Sequence, residues 1–347
     1  MAQAMTQFQG DFMNYRETFE ATLSTREDYV AGFQRVIRKR QAEIRSERDE
    51  YAKKLFTDGN ACREDFKKML GWPLVGFDGA EMPQPKSELL SNEDGYDVYR
   101  MHFEVIEGFT VSGILMKLHG EGKRPMVICQ HGGEGTPEVI CGLLGDTENY
   151  NDMVQRVMAR GTHIFAPQLL LWRNAFGVPY KRGETDAALK NLGGSITALE
   201  VFAITRIIDY FEKQDYVKNF GMVGLSYGGF YTLCTTAVDT RIKSAISSSF
   251  FNSREEISWV DWTWKDLLFK FNDSEIACLC YPRKLYIAVG TQDALFNIEY
   301  GRKSFERIKE LSASVGTDWV AFDDFEGVHE FVKTDEFIDA LINDLNE

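Results

Sequence analysis

An α/β fold, with a mostly parallel sheet covered by helices on both faces, is what the sequence predicts, and three observations predict it. Short apolar runs alternate with helical stretches through the C-terminal part of the chain. A serine among small residues, Gly224-Leu225-Ser226-Tyr227-Gly228-Gly229, stands between one apolar run and one helical stretch. A single histidine beyond that serine, His329, lies between the last apolar run and the last helical stretch.

The apolar runs are Met126–Gln130, His163–Pro167, Gly221–Leu225, Ala245–Ser249, Leu285–Val289 and Trp319–Phe322. Each is short enough for a buried strand. Helices are expected at Asn149–Arg160, Ser195–Phe211, Tyr227–Val238, Ile298–Ala313 and Asp335–Leu345, and right-handed crossovers put them on both faces of the sheet. Before these units, Asp97–Ile106 and Phe109–Leu118 are joined by Glu107-Gly108, which predicts an antiparallel edge.

The first ninety residues differ in texture. Ser24-Thr25-Arg26-Glu27 is a capping-box pattern that opens a long helix. Tyr29, Val30, Phe33, Val36, Ile37, Ile44, Tyr51 and Leu55 form its apolar stripe, which is expected to pack on something. A shorter helix near Cys62–Leu70 ends at Gly71-Trp72-Pro73, and a stretch rich in Pro and Gly runs on to about Pro85. The expected division is therefore 1–90, a helical cap or oligomerisation segment, and 91–347, a catalytic domain with an aromatic-rich insertion at about 250–282.

With 347 residues, 44% of them hydrophobic, the chain can bury a large core without metals or disulfides. Its net charge of −14 is spread along the sequence, which disfavours nucleic acid and anionic membranes as partners. Met1–Phe19 lacks the pattern of a secretory leader. The six cysteines are scattered through apolar contexts, so cytoplasm is the expected location. Cys278 and Cys280 have no second pair and no nearby histidine, so no metal is expected.

The chemistry starts from Ser226. A strand, a sharp turn and a helix make a nucleophile elbow, where small neighbours let the chain turn tightly and lift the hydroxyl above the sheet. A serine is a weak nucleophile at neutral pH and needs a histidine base with an acid to orient it, in the order serine, acid, histidine. His329 in Glu326-Gly327-Val328-His329-Glu330 is the base candidate. Asp293, in Gly290-Thr291-Gln292-Asp293 after a strand, is favoured as the acid over Asp323 and Asp324, which share the strand end nearest His329. Gln130-His131-Gly132-Gly133 supplies a glycine loop for an oxyanion hole, with the N–H groups of Tyr227 and Gly133 as donors. His131 precedes the nucleophile and is read as a brace for that loop.

Together these motifs resemble the α/β-hydrolase superfamily over about Tyr96–Glu347. The pairing of His131-Gly132-Gly133 with the Ser226 elbow is similar to the branch holding dienelactone hydrolases, acetyl-xylan-esterase-like enzymes and the prolyl oligopeptidase catalytic domain. Leu70-Gly71-Trp72-Pro73 resembles the N-terminal region of the esterase-like members. The helical N-terminus is too short for the β-propeller of a prolyl oligopeptidase, and Ser226 stands where a dienelactone hydrolase proper carries cysteine.

The resemblance implies a serine hydrolase that cleaves a small-molecule carboxylic ester through an acyl-enzyme, with no cofactor. A serine peptidase for short peptides, a carbon–carbon bond hydrolase and a non-catalytic binding protein are the alternatives. Trp259 and Trp262 in the insertion, and Trp172 in the Leu169–Arg182 stretch, are candidate substrate contacts, with core packing as the competing reading. An arginine of that stretch, Arg173 or Arg182, could engage a carboxylate, but a solvated surface role is the favoured reading. A homodimer through the N-terminal helices is an open alternative to a cap.

Overall fold

The protein is described by a computed structural model, which covers residues 15–72, 84–170 and 179–347. By contacts between Cα atoms the chain divides into Met1–Glu47 and Arg48–Glu347. In chain order the helices are α1 Leu23–Ala52, α2 Gly59–Leu70, α3 Pro137–Ile140, α4 Met153–Met158, α5 Arg182–Asn191, α6 Ile196–Glu212, α7 Tyr227–Val238, α8 Asp273–Cys278, α9 Ile298–Leu311 and α10 Glu336–Asn346. The strands are β1 Lys86–Glu93, β2 Tyr96–Ile106, β3 Phe109–Leu118, β4 Arg124–Gln130, β5 His163–Pro167, β6 Val217–Leu225, β7 Ile242–Ser248, β8 Lys284–Ala288 and β9 Val320–Asp323.

These strands form one sheet in the order β1-β2-β3-β5-β4-β6-β7-β8-β9. The pairs from β5 through β9 are parallel, while β1, β2 and β3 make the antiparallel edge. Alternation along the central strands feeds two cores. Met126, Ile128, Phe220 and Met222 join the layer containing α2, α6, α7 and α8. Val127, Cys129, Val223 and Leu225 join the layer containing α3, α4 and α10. A strand covered on both sides reads as a continuous apolar run, which is why these strands stand out in the sequence.

Two expectations about the N-terminal region need correction. Within Met1–Glu47 the residues Tyr29, Val30, Phe33, Val36 and Ile37 of α1 are exposed, so this part of the stripe is not packed as expected. Local side-chain pairs support the helix there, with Tyr29 edge-on to Phe33 at 5.2 Å and Arg40 beside both Glu43 and Glu47 at 3.3 Å. Secondly, β1 begins at Lys86, before the expected boundary, and α2 buries Cys62, Phe66 and Leu70 in the core of the sheet-containing unit. The exposed, largely charged or polar pattern of Lys86–Glu93 carries no apolar signal for a strand.

Phe103 on β2 anchors the antiparallel edge, packing against Phe165 at 5.5 Å and Tyr210 at 5.4 Å between ring centroids. Replacing Phe103 with alanine should cost about 3–5 kcal/mol of stability. The check is urea unfolding, where the midpoint should fall without a change in slope.

Candidate active site

The C-terminal ends of β4, β6, β8 and β9 carry the loops that meet at one cavity of about 370 Å³. Gly132, Gly133, Tyr150, Ser226, Tyr227, Trp259 and His329 are in its wall. Ser226 caps α7 with φ +60° and ψ −119°, a left-handed conformation that is costly for serine. The surrounding chain over-determines it. The Ser226 N–H donates to Ser248 O at 2.9 Å, and the Phe230 N–H donates to Ser226 O at 2.9 Å.

Glycine is required on both sides of the turn. A Cβ on Gly224 would lie 2.3 Å from Gly228 O, and one on Gly228 would lie 2.1 Å from Gln130 O. The elbow therefore presses directly on the end of β4, where the glycine loop begins.

Asp293 and His329 are brought together. The His329 Nδ1 and Asp293 Oδ2 are 2.8 Å apart, while Asp293 Oδ1 accepts from the N–H groups of Leu295 at 2.8 Å and Phe296 at 3.0 Å. A carboxylate only accepts, so Nδ1 carries the proton and Nε2 is the basic nitrogen. The imidazole also stacks on Phe296 at 5.7 Å. Asp324 instead pairs with Arg302 at 2.6 Å.

His131 is fully buried, and burial lowers its pKa to about 4. Its Nε2 accepts from the Leu169 N–H at 2.9 Å, so Nδ1 carries the proton and donates to Gly132 O at 2.7 Å. This neutral ring ties the glycine loop to the chain after β5. Among the described residues the Gly133 N–H has no hydrogen-bond partner, and it lies in the cavity wall.

The tryptophan candidates separate. Trp259 is in the cavity wall and half-buried, whereas Trp262 is fully buried beneath Tyr227, Phe230 and Phe250 and is core. The substrate-contact reading of Trp262 is corrected accordingly. Trp172 lies outside the described residues.

Arg182 is not a surface residue but is buried behind the elbow. Its Nε donates to Asp261 Oδ2 at 2.7 Å, and its guanidinium stands 4.8 Å from the Tyr227 ring centroid. The Tyr227 hydroxyl donates to the same Asp261 oxygen at 2.7 Å. Burial pushes the Glu200 carboxyl up, with Arg182 opposing that shift from 3.7 Å. The polar surroundings of Arg182 in sequence conceal this arrangement, because its partner Asp261 is remote along the chain.

A further link was missed in the sequence. The Asn149 side chain donates to His329 O at 3.0 Å, and the Asn151 side chain donates to Phe331 O at 2.7 Å. Between them, the Tyr150 hydroxyl accepts from the Gly132 N–H at 2.7 Å. The histidine loop and the glycine loop are thus joined through one turn.

Burial also lowers the His163 pKa to about 4. Both His131 and His163 have folded values below the ordinary imidazole value of about 6.5. Between about pH 6.5 and 4 the unfolded chain binds these protons and the folded chain does not, so stability should fall as pH is lowered through that window. His163→Asn should reduce the steepness of this fall in urea unfolding measured across the window, and an unchanged slope would count against a neutral buried His163.

Solved structures share the architecture. A candidate acetyl xylan esterase from Bacteroides fragilis is 14% identical with a TM-score of 0.66, covering 82% of this chain and 80% of that one. A glucuronoyl esterase from Solibacter usitatus is 14% identical with a TM-score of 0.60, covering 82% and 91%. Acetyl xylan esterase 1 from Thermoanaerobacterium is 15% identical with a TM-score of 0.54, covering 80% and 93%. No family model and no curated protein matches the sequence. The order of the strands, the elbow after β6 and these structural likenesses identify the fold as that of the α/β-hydrolases.

Proposed function

We propose that the protein is a serine hydrolase for a carboxylic ester of a small molecule. The observation that carries this reading is the shared cavity of Ser226 and His329, with the histidine oriented by Asp293 at 2.8 Å. The esterases among its structural likenesses add support, since the acetyl xylan and glucuronoyl esterases have the same fold.

In this reading the Ser226 oxygen attacks the ester carbonyl as His329 Nε2 takes its proton. The carbonyl π pair moves onto oxygen, where the N–H groups of Gly133 and Tyr227 stabilise it. Collapse breaks the bond to the alcohol, which leaves with the proton from His329. Water then repeats the sequence on the acyl-enzyme and releases the acid. Asp293 holds the tautomer and stabilises the imidazolium. Trp259 forms an aromatic wall beside the reacting group, and the cavity volume suits a small substrate.

This reading requires no cofactor. Cytoplasm is the proposed location, supported by six buried free thiols. Among the described residues no single helix is long and apolar enough to cross a membrane. A homodimer through the N-terminal segment belongs to the same proposal, supported by the exposed apolar residues of α1.

The test is hydrolysis of p-nitrophenyl acetate by the folded wild type, Ser226→Ala and Asp293→Asn. Ser226→Ala should lower kcat by about 10⁶-fold, and Asp293→Asn by about 10⁴-fold. Equal rates in Ser226→Ala and the wild type would refute the esterase assignment.

A further inference from the structure

We propose that the Tyr150 hydroxyl is a third donor to the oxyanion formed during ester cleavage, beside the N–H groups of Gly133 and Tyr227; this rests on the serine-esterase reading above. The first observation is position. Tyr150 lies in the cavity wall with Ser226 and His329 although its side chain is almost wholly buried. A Cβ on Gly132 would be 3.1 Å from the Tyr150 oxygen and 3.4 Å from Ser226 Cβ, so the phenol and the nucleophile flank the same point.

The second observation is the direction of its hydrogen bonding. The phenol oxygen accepts the Gly132 N–H at 2.7 Å, so the phenol hydrogen is not used in that bond. Among the described residues it has no acceptor. The cavity is where that hydrogen finds one: a carbonyl oxygen bound above Ser226.

Space has been made for this group. A Cβ on Gly135 would lie 2.0 Å from the Tyr150 oxygen, which only a glycine avoids. Burial, with the charges of Glu148 and Glu134 nearby, raises the Tyr150 pKa and keeps the hydroxyl protonated. Accepting from Gly132 also polarises the O–H bond and strengthens its donation.

The chemical step keeps its balance. As the Ser226 oxygen–carbon bond forms, the carbonyl π pair becomes a lone pair on oxygen and the serine proton goes to His329. Tyr150 contributes a hydrogen bond to that oxygen and retains its own proton. When the alcohol leaves, the lone pair returns to the carbonyl and the phenol bond weakens again.

The competing role is positioning alone, with Tyr150 merely holding Gly132 in place. Two variants of the full chain distinguish them, Tyr150→Phe and Tyr150 replaced by 3,5-difluorotyrosine, with p-nitrophenyl acetate as substrate and folding checked by circular dichroism. Tyr150→Phe should lower kcat by about 10²–10³-fold while KM changes little. The fluorinated phenol ionises more readily, and its phenolate accepts from Gly132 but donates nothing. Its phenolate absorbance should rise at alkaline pH as kcat falls, a loss absent in the wild type.

Full activity with the fluorinated phenolate formed would overturn donation, as would a Tyr150→Phe enzyme with wild-type kcat. Should Tyr150→Phe fail to fold, the fluorinated chain still decides. Failure of the underlying reading has a different signature: Ser226→Ala would hydrolyse the ester as fast as the wild type. An active wild type, a silent Ser226→Ala and an unimpaired Tyr150→Phe would sink only the third donor.

Discussion

The C-terminal end of the central strands depends on one close backbone approach, that of Gly228 against Gln130 O. The 2.1 Å that a Cβ would leave there means that the start of α7 and the end of β4 touch main chain to main chain. This contact puts the Ser226 turn beside the glycine loop. Ser226 retains its costly φ of +60° because bonds through Ser248 and Phe230 hold the turn on both sides.

Around that contact the loops are tied by hydrogen bonds between uncharged groups. His131 joins the glycine loop to the end of β5, and the turn at Asn149–Asn151 joins it to the histidine loop. Behind the elbow, Arg182 and Asp261 clasp the Tyr227 side chain, so the residue after Ser226 is held by both its backbone and its hydroxyl. Such shared support keeps a site in one geometry without requiring its members to be neighbours in sequence.

Much of the central sheet was legible because strands buried on both faces read as apolar runs, and the Ser226 elbow carries its own glycine pattern. The edge strand Lys86–Glu93 was not legible, since its exposed polar residues carry no apolar period. Asp293, Asp323 and Asp324 all follow expected strands; chain order and strand position favour Asp293, and its 2.8 Å contact with His329, with Asp324 paired to Arg302, agrees. The apolar period predicts a helix over Asn149–Arg160 that includes Tyr150. Instead, Asn151 and Asp152 take left-handed conformations, with φ of 49° and 55°, and α4 starts at Met153. Asparagine and aspartate tolerate that conformation locally, so a turn was available where the apolar period suggested continuous helix.

The aromatic insertion shows the same limit of sequence pattern. Trp259 and Trp262 are three residues apart, yet one faces the cavity and the other is sealed beneath the elbow. Burial of Arg182 likewise follows from Asp261 and Tyr231 arriving from elsewhere in the fold, not from its own polar neighbours.

Whether Ser226 is the reactive serine is tested most simply by peptide mapping with mass spectrometry after reaction with a fluorophosphonate. One covalent adduct should form, on the peptide containing Ser226, and none on Ser226→Ala. An adduct confined to another residue, or no adduct on the folded wild type, would contradict this role for Ser226.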